Sequence, residues 1–204
     1  MHVFNVNAFD FQAVQLFTAK KDVRQYLNGW HISRTHLSAT NGHVLIRLAH
    51  QNELGDDFPS DGYTFHNVKV PTKRAENGDD GLVMITVGEE EATMEHGAKF
   101  VNYRFELRSN NSPAMIGLSR IEGKYPDIDR VIPNPSNPSP NHFNPEYIEL
   151  IGKASRLLCK GAGISHGMLV GRGDENQATL FSIAQRDDVD MVLMPMNPKA
   201  WGDK

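Results

Sequence analysis

Cysteine is nearly absent from this 204-residue chain: the one residue, Cys159, permits no internal disulfide and no cysteine zinc site. Its place in an apolar helical run reads as a small packed hydrophobe, so redox chemistry is not expected. Long hydrophobic runs are absent too. Nothing approaches the roughly 18 apolar residues of a membrane-spanning helix, and with a mean hydropathy of −0.45 the chain is expected to be soluble. The opening MHVFNVNAFDFQ has neither a basic region leading into an apolar core nor an Arg-rich transit pattern, so the cytoplasm is the expected compartment. An excess of basic charge is also lacking. With 21 Lys and Arg against 25 Asp and Glu the formal charge is −4, so any nucleic-acid contact must come from a local basic patch. What is present, 39% hydrophobic and 23% charged residues, fits one ordinary globular domain or two small ones.

Metal-ligand motifs are missing as well. Of nine histidines, His31, His36 and His43 stand five and seven residues apart with no HExxH and no acidic partner at metal-ligand spacing, so no metal and no cofactor are expected. Cys159 lies on an apolar helix face, not at a helix N-terminus, so it is not read as a nucleophile. Gly171-Arg172-Gly173-Asp174 joins two strand-like segments, and with no helix N-terminus to cradle a phosphate it reads as a hairpin turn. An enzyme is not expected.

The pattern begins with a strand at Val3 to Val6, then Asn7 as an N-cap and a helix through about Ala19, with Phe9, Ala13, Leu16 and Phe17 on its inner side. Arg24 to Ala49 is β-rich and broken by two turn signals, Asn28-Gly29 and Asn41-Gly42. Acidic stretches at 51–62 and 75–81 read as loops. Strands are expected at Thr64 to Val70, Leu82 to Val87, Ala92 to His96 and Phe100 to Leu107, the last with strict alternation. Five prolines within residues 133–145 make a linker, which ends at Asn144-Pro145-Glu146, the N-cap, N1 proline and first-turn acid of a helix expected to run to Lys160 and stop at Gly161. Its apolar side carries Tyr147, Leu150, Ile151, Ala154, Leu157 and Leu158. The other carries Glu149, Lys153, Arg156 and Lys160, either a solvated face or a contact to a duplex backbone. Strands at 167–171, 178–184 and 189–194 close the chain. The run Met191 to Met196 reads either as a terminal edge strand or as part of an adaptable peptide groove.

Five of these segments, in order, resemble motifs of the bacterial DNA polymerase III beta subunit, the sliding clamp. Arg24 to Gly29 (RQYLNG) is similar to RyYLNG, and Leu37 to His43 (LSATNGH) to LvATDGH. Val68 to Lys73 (VKVPTK) resembles VIVPRK, Gly123 to Pro133 (GKYPDIDRVIP) resembles GxYPDYRRVLP, and Met191 to Met196 (MVLMPM) resembles YVVMPM. The chain departs from the family at Asn41 and Val44, in lacking a helix between Lys73 and Leu82, and in continuing from Asn197 to Lys204 after the last motif. It therefore resembles a shortened clamp, of the kind a phage or plasmid would carry.

The resemblance implies an α+β, DNA-clamp-like fold, mostly antiparallel sheet with two amphipathic helices on one side. Residues 1–133 would form a lobe like the family's second domain, and 134–204 a shorter lobe like the second half of its third. It implies a homo-oligomeric ring around duplex DNA, without sequence preference, with Lys153, Arg156, Lys160, Lys20, Lys21 and Arg24 facing the phosphates. It further implies a pocket for peptides of a DNA polymerase and a clamp loader, built from Leu27, Thr40, Gly42, His43, Leu45, Pro71, Val192, Leu193, Met194, Pro195 and Met196. The rival reading is an adaptor or decoy of the same fold that binds such peptides without encircling DNA.

Overall fold

The computed structural model describes residues 1–52, 54–70, 81–93, 99–109, 112–133, 141–164, 168–170 and 177–196. Most of the expected loop at 75–81, part of the strand at Ala92 to His96, most of the proline linker, Gly171 to Asp174 and the last eight residues lie outside the described residues.

Strand β1 (His2–Asn7) leads into helix α1 (Ala8–Gln15), which is shorter than the expected run to Ala19. Asn7 caps it, its Oδ1 accepting from Phe9 N at 2.9 Å. The helix leaves through tightened turns, with Leu16 N bonded to Ala13 O and Phe17 N to Val14 O, which satisfy carbonyls that a helix end would otherwise orphan. Ala8, Phe9, Phe11, Ala13 and Val14 are all buried, so the expected one-sided helix is enclosed more widely.

Strands β2 (Gly29–Ile32), β3 (His36–Thr40), β4 (Val44–Ala49) and β5 (Tyr63–His66) follow. Asn28-Gly29 is no hairpin turn: Asn28 ends a 3-10 turn, Gln25–Asn28, and Gly29 opens β2. A Cβ on Gly29 would stand 2.2 Å from Phe65 O, so this glycine serves the close approach of β2 to β5. Asn41-Gly42 is the expected turn, with Gly42 at φ +90°. Next come β6 (Leu82–Thr93), β7 (Lys99–Ser109) and β8 (Ser112–Gly117). The two strands expected between Leu82 and His96 are thus one longer strand up to Thr93, and β8 was not expected.

Helix α2 (Pro145–Ala162) starts at its expected N-cap, Asn144, whose Oδ1 accepts from Glu146 N at 2.9 Å. It runs past Gly161 and ends at Gly163, in the left-handed conformation at φ 66°. Gly161 instead lets α2 approach α1, because a Cβ there would lie 2.8 Å from Asn7 Oδ1 and 3.2 Å from Phe9 Cβ. The chain closes with β9 (Met168–Val170), β10 (Thr179–Ile183) and β11 (Arg186–Leu193).

Among the described residues all strand pairings are antiparallel and make two sheets, β1-β6-β7-β8 and β5-β2-β3-β4-β11-β10-β9. The architecture is α+β, with both helices feeding one core that includes Phe4, Phe11, Phe17, Trp30, Ile46, Ile85, Leu107, Ile151 and Leu158. The longer sheet is continuous between residues before and after the linker, because β4 pairs with β11 from Val44↔Leu193 to Leu48↔Val189. Arg47 stitches this seam, bonding Asp190 across the strands and Asp129 of the 128–131 turn. A buried guanidinium makes a second seam. Arg186 donates to Asp10 of α1 (2.8 and 3.2 Å), to Asp188 (2.8 and 2.9 Å) and to Leu158 O of α2 (3.0 Å), joining both helices to the β10–β11 hairpin.

Candidate functional site

The β4–β11 seam also builds a cavity. Thr40, Leu45 and Val192 stand directly opposite one another across β3, β4 and β11, so their side chains share one face. Leu193, one residue on, points the other way and is fully buried in the core. The shared face floors a cavity of about 170 Å³, lined also by Leu27, Gly42, His43, Val44 and Met194, with Arg24 and Tyr26 on the 3-10 side. A remaining wall comes from Pro126, Asp127, Ile128 and Val131. Val131 and Met194 are large apolar side chains left exposed, and both are at this cavity.

Local chemistry sets each wall. At the hairpin tip, Thr40 Oγ1 donates to Val44 O (2.7 Å) and accepts from Gly42 N (3.0 Å), while Asn41 Oδ1 accepts from the backbone N–H groups of His43 and Val44. Met194 N donates to His43 O, carrying the end of β11 to the same tip. The His43 ring stacks on Tyr147 of α2, centroids 5.3 Å apart, so the first turn of α2 adjoins the cavity. Opposite, Asn28 bonds both backbone groups of Asp22, and Asp22 in turn receives the Arg24 guanidinium at 2.9 and 3.0 Å. The hydrogen bonds from the Arg24 side chain, and then from its N–H, hold the Asp22 carboxyl at about 2, so the pair is charged at any ordinary pH.

Of the residues expected in a peptide pocket, the structure brings together Leu27, Thr40, Gly42, His43, Leu45, Val192 and Met194. Leu193 is a core residue, Pro195 and Met196 are half-buried beyond the lining, and Pro71 lies outside the described residues. Arg24, expected to face DNA, lines the cavity. The wall from Pro126 to Val131 was not expected, although it lies inside the GKYPDIDRVIP motif. Its other side faces a second, polar cavity of about 320 Å³ lined by His31, Ser38, Asp61, Lys124, Tyr125 and Asp129 among others.

A separate open groove runs along α2, lined by Lys153, Arg156, Lys160, Leu16 and Leu157. The three expected cations of α2 therefore share one surface. Lys153 is bonded to Glu149 at 2.7 Å, and Lys160 lies over the Phe9 ring at 4.8 Å from its centroid. Lys20 and Lys21 are exposed in the turn after α1 and do not line this groove. Among the described residues no three His, Cys, Asp or Glu side chains are grouped as metal ligands, and no helix is long and apolar enough to cross a membrane.

No protein-family model matches the sequence, and comparison with curated proteins gives no match. Among solved structures the chain is similar to a DNA polymerase sliding clamp from Pseudomonas aeruginosa determined with a ligand, at 18% identity and TM-score 0.59, over 96% of this chain and 66% of that one. It is similar to the DNA polymerase III subunit beta from the same organism (17%, TM-score 0.61, 97% and 67%). A third likeness is to the subunit beta from Borrelia burgdorferi in complex with a natural product (15%, TM-score 0.56, 97% and 65%). The chain thus has the sliding-clamp fold and spans about two thirds of the length of these clamp chains.

Proposed function

We propose that this chain is a clamp-type processivity factor that encircles or tracks duplex DNA as a homo-oligomeric ring in the cytoplasm and tethers a DNA polymerase through a short peptide. The observation that carries this reading is convergence: residues 24–27, 40–45, 126–131 and 192–194, far apart in the chain, wall one small apolar cavity on a sliding-clamp fold. A cavity of this kind buries two or three apolar anchors and orients a peptide with few polar groups. Clamp-loader peptides of the same chemistry would compete for it. Residues 1–133 and 134–204 serve in this reading as two lobes joined along the β4–β11 seam. No catalytic step is invoked.

A peptide carrying a glutamine and spaced leucine or phenylalanine anchors is expected to bind with micromolar-class Kd, because two anchors at about 1.5–3 kcal/mol each, less ordering costs, leave modest affinity. Met194→Ala, at an exposed position, and Leu27→Ala should each weaken it by about tenfold or more. His43→Ala should cost less. Fluorescence anisotropy on folded variants checks this, and equal affinity for a scrambled peptide would reduce these residues to sheet packing.

Exchanging Lys153, Arg156 and Lys160 together for glutamate should weaken retention on nicked circular DNA. It should also flatten the slope of log affinity against log salt by roughly 2–3, at about 0.9 per phosphate contact. The fold should survive, since all three side chains are exposed. An unchanged salt slope would remove this groove from the DNA path. A monomeric mass by light scattering, with peptide binding intact and no preference for circular over linear DNA, would favour the adaptor reading.

A further inference from the structure

The apolar cavity lies beside the end of the described chain. β11 delivers Val192 to the floor and Met194 to the rim, Met196 N is fixed to His142 O at 2.7 Å, and eight more residues, Asn197 to Lys204, follow. We propose that this C-terminal segment is a built-in competitor that places Trp201 in the cavity and so sets the affinity for an incoming peptide. The inference rests on reading the cavity as a peptide site.

Three observations single out this occupant. The first is reach: Trp201 follows Met196 by five residues, which span up to about 17 Å when extended, from an anchor two residues beyond a cavity-lining side chain. The second is composition. The segment holds one large apolar side chain, Trp201, among two lysines, an aspartate, a glycine and other small or polar residues. The third is charge: Lys199 and Asp203 stand two residues to either side of Trp201, and the cavity lining holds both Asp127 and Arg24. The chain's other tryptophan, Trp30, is fully buried in the core, so a change in tryptophan exposure on displacement reports Trp201.

A single anchor binds weakly, but a short tether supplies a local concentration in the millimolar range. Occupancy near one half or somewhat above follows, enough to hinder a two-anchor peptide without excluding it. Ending the chain after Met196, or the change Trp201→Ser, should tighten binding of a tryptophan-free glutamine–leucine–phenylalanine peptide by about 2- to 3-fold. Adding that peptide to the full chain should shift tryptophan emission to the red and raise acrylamide quenching, and neither change should occur in Trp201→Ser. Met194→Glu should expose Trp201 to quencher without any peptide, which tests the tail even if the peptide fails to bind.

Peptide affinities equal in the full and shortened chains, with Trp201 equally quenched in the parent and Met194→Glu proteins, would overturn the proposal and leave the peptide site standing. No peptide binding in either chain length would overturn the peptide-site reading instead. Quencher protection that grows with protein concentration would put the segment on a second copy and overturn the intramolecular form.

Discussion

Replacing Arg186 with methionine is expected to destabilise the fold by about 3–5 kcal/mol, the range for removing one partner of a buried ion pair. The guanidinium is 9% exposed and its Asp10 partner 13%, so little water is present to take over the bonds. Burial alone would lower the Arg186 pKa, but the carboxylates of Asp188 and Asp10 outweigh it and hold the group above its usual value. Burial conversely raises the Asp10 carboxyl in spite of Arg186. These directions pull apart for the pair, and with donor distances of 2.8 and 3.2 Å the charged pair is the state the geometry supports. In Arg186→Met, Asp10 keeps its burial and loses its cation, and Leu158 O loses a donor. Stability should therefore recover in part as pH falls toward the raised Asp10 value, since protonation removes the buried charge. Adding Asp10→Asn should restore part of the loss at neutral pH. Urea denaturation of the two single variants and the double variant measures the coupling, and a loss below about 1 kcal/mol would show that other contacts hold α1, α2 and the β10–β11 hairpin together.

Features written in a few adjacent residues were legible in the sequence. The Asn41-Gly42 turn, the caps Asn7 and Asn144 and the N1 proline each satisfy backbone groups within their own turn, so no distant residue is needed to read them. Signals went wrong where a distant partner decides. Gly161 reads as a helix stop, yet it is the point at which α1 lies too close for a side chain, and Gly163 two residues later is the true cap. Gly29 reads as a turn and instead admits the backbone of β5. The acidic run Glu89-Glu90-Glu91 argues against strand, but pairing with Tyr103, Asn102 and Val101 of β7 overrides that preference. Strand β8 carries Pro113 and Gly117, both poor strand residues, and survives as an edge that pairs, among the described strands, with β7 alone.

The same division runs through the cavity. Leu27, Thr40, Leu45, Val192 and Met194 follow from the clamp resemblance, whereas the placement of Arg24 depends on Asp22, outside the motif that suggested it. Alternation along β11 would have separated Val192 and Met194 from Leu193, given only that one face of the strand meets the core. The wall at Pro126 to Val131 could not be placed from its own residues, because the bond from Arg47 to Asp129 that holds it to the sheet joins positions 82 residues apart.

Acid is expected to weaken the fold between pH 6.5 and pH 4, with His31 the largest contributor among the described histidines. This ring is 7% exposed, bonded through Nδ1 to Thr64 Oγ1 at 3.0 Å and stacked on Tyr125 at 4.2 Å between centroids. Burial lowers its pKa to about 4 from an ordinary 6.5, and His36 and His50 are lowered as well, burial again the leading cause. Above pH 6.5 the ring is neutral whether folded or unfolded, and no stability is at stake. As pH falls through 6.5 the unfolded chain takes up a proton that the folded chain refuses until about pH 4. Stability is lost across that window and levels off below it, to a total of about 3 kcal/mol for His31. His31→Phe keeps a ring against Tyr125 and cannot titrate, so its stability should fall less steeply with acid, even though Thr64 loses a partner at every pH. Because Tyr125 adjoins the Pro126 to Val131 wall, peptide affinity should fall with acid in the parent protein more than in His31→Phe. Urea titrations at intervals from pH 7.5 to pH 4 give the slopes, and parallel curves for the two proteins would mean that His31 is protonated in the folded chain without cost.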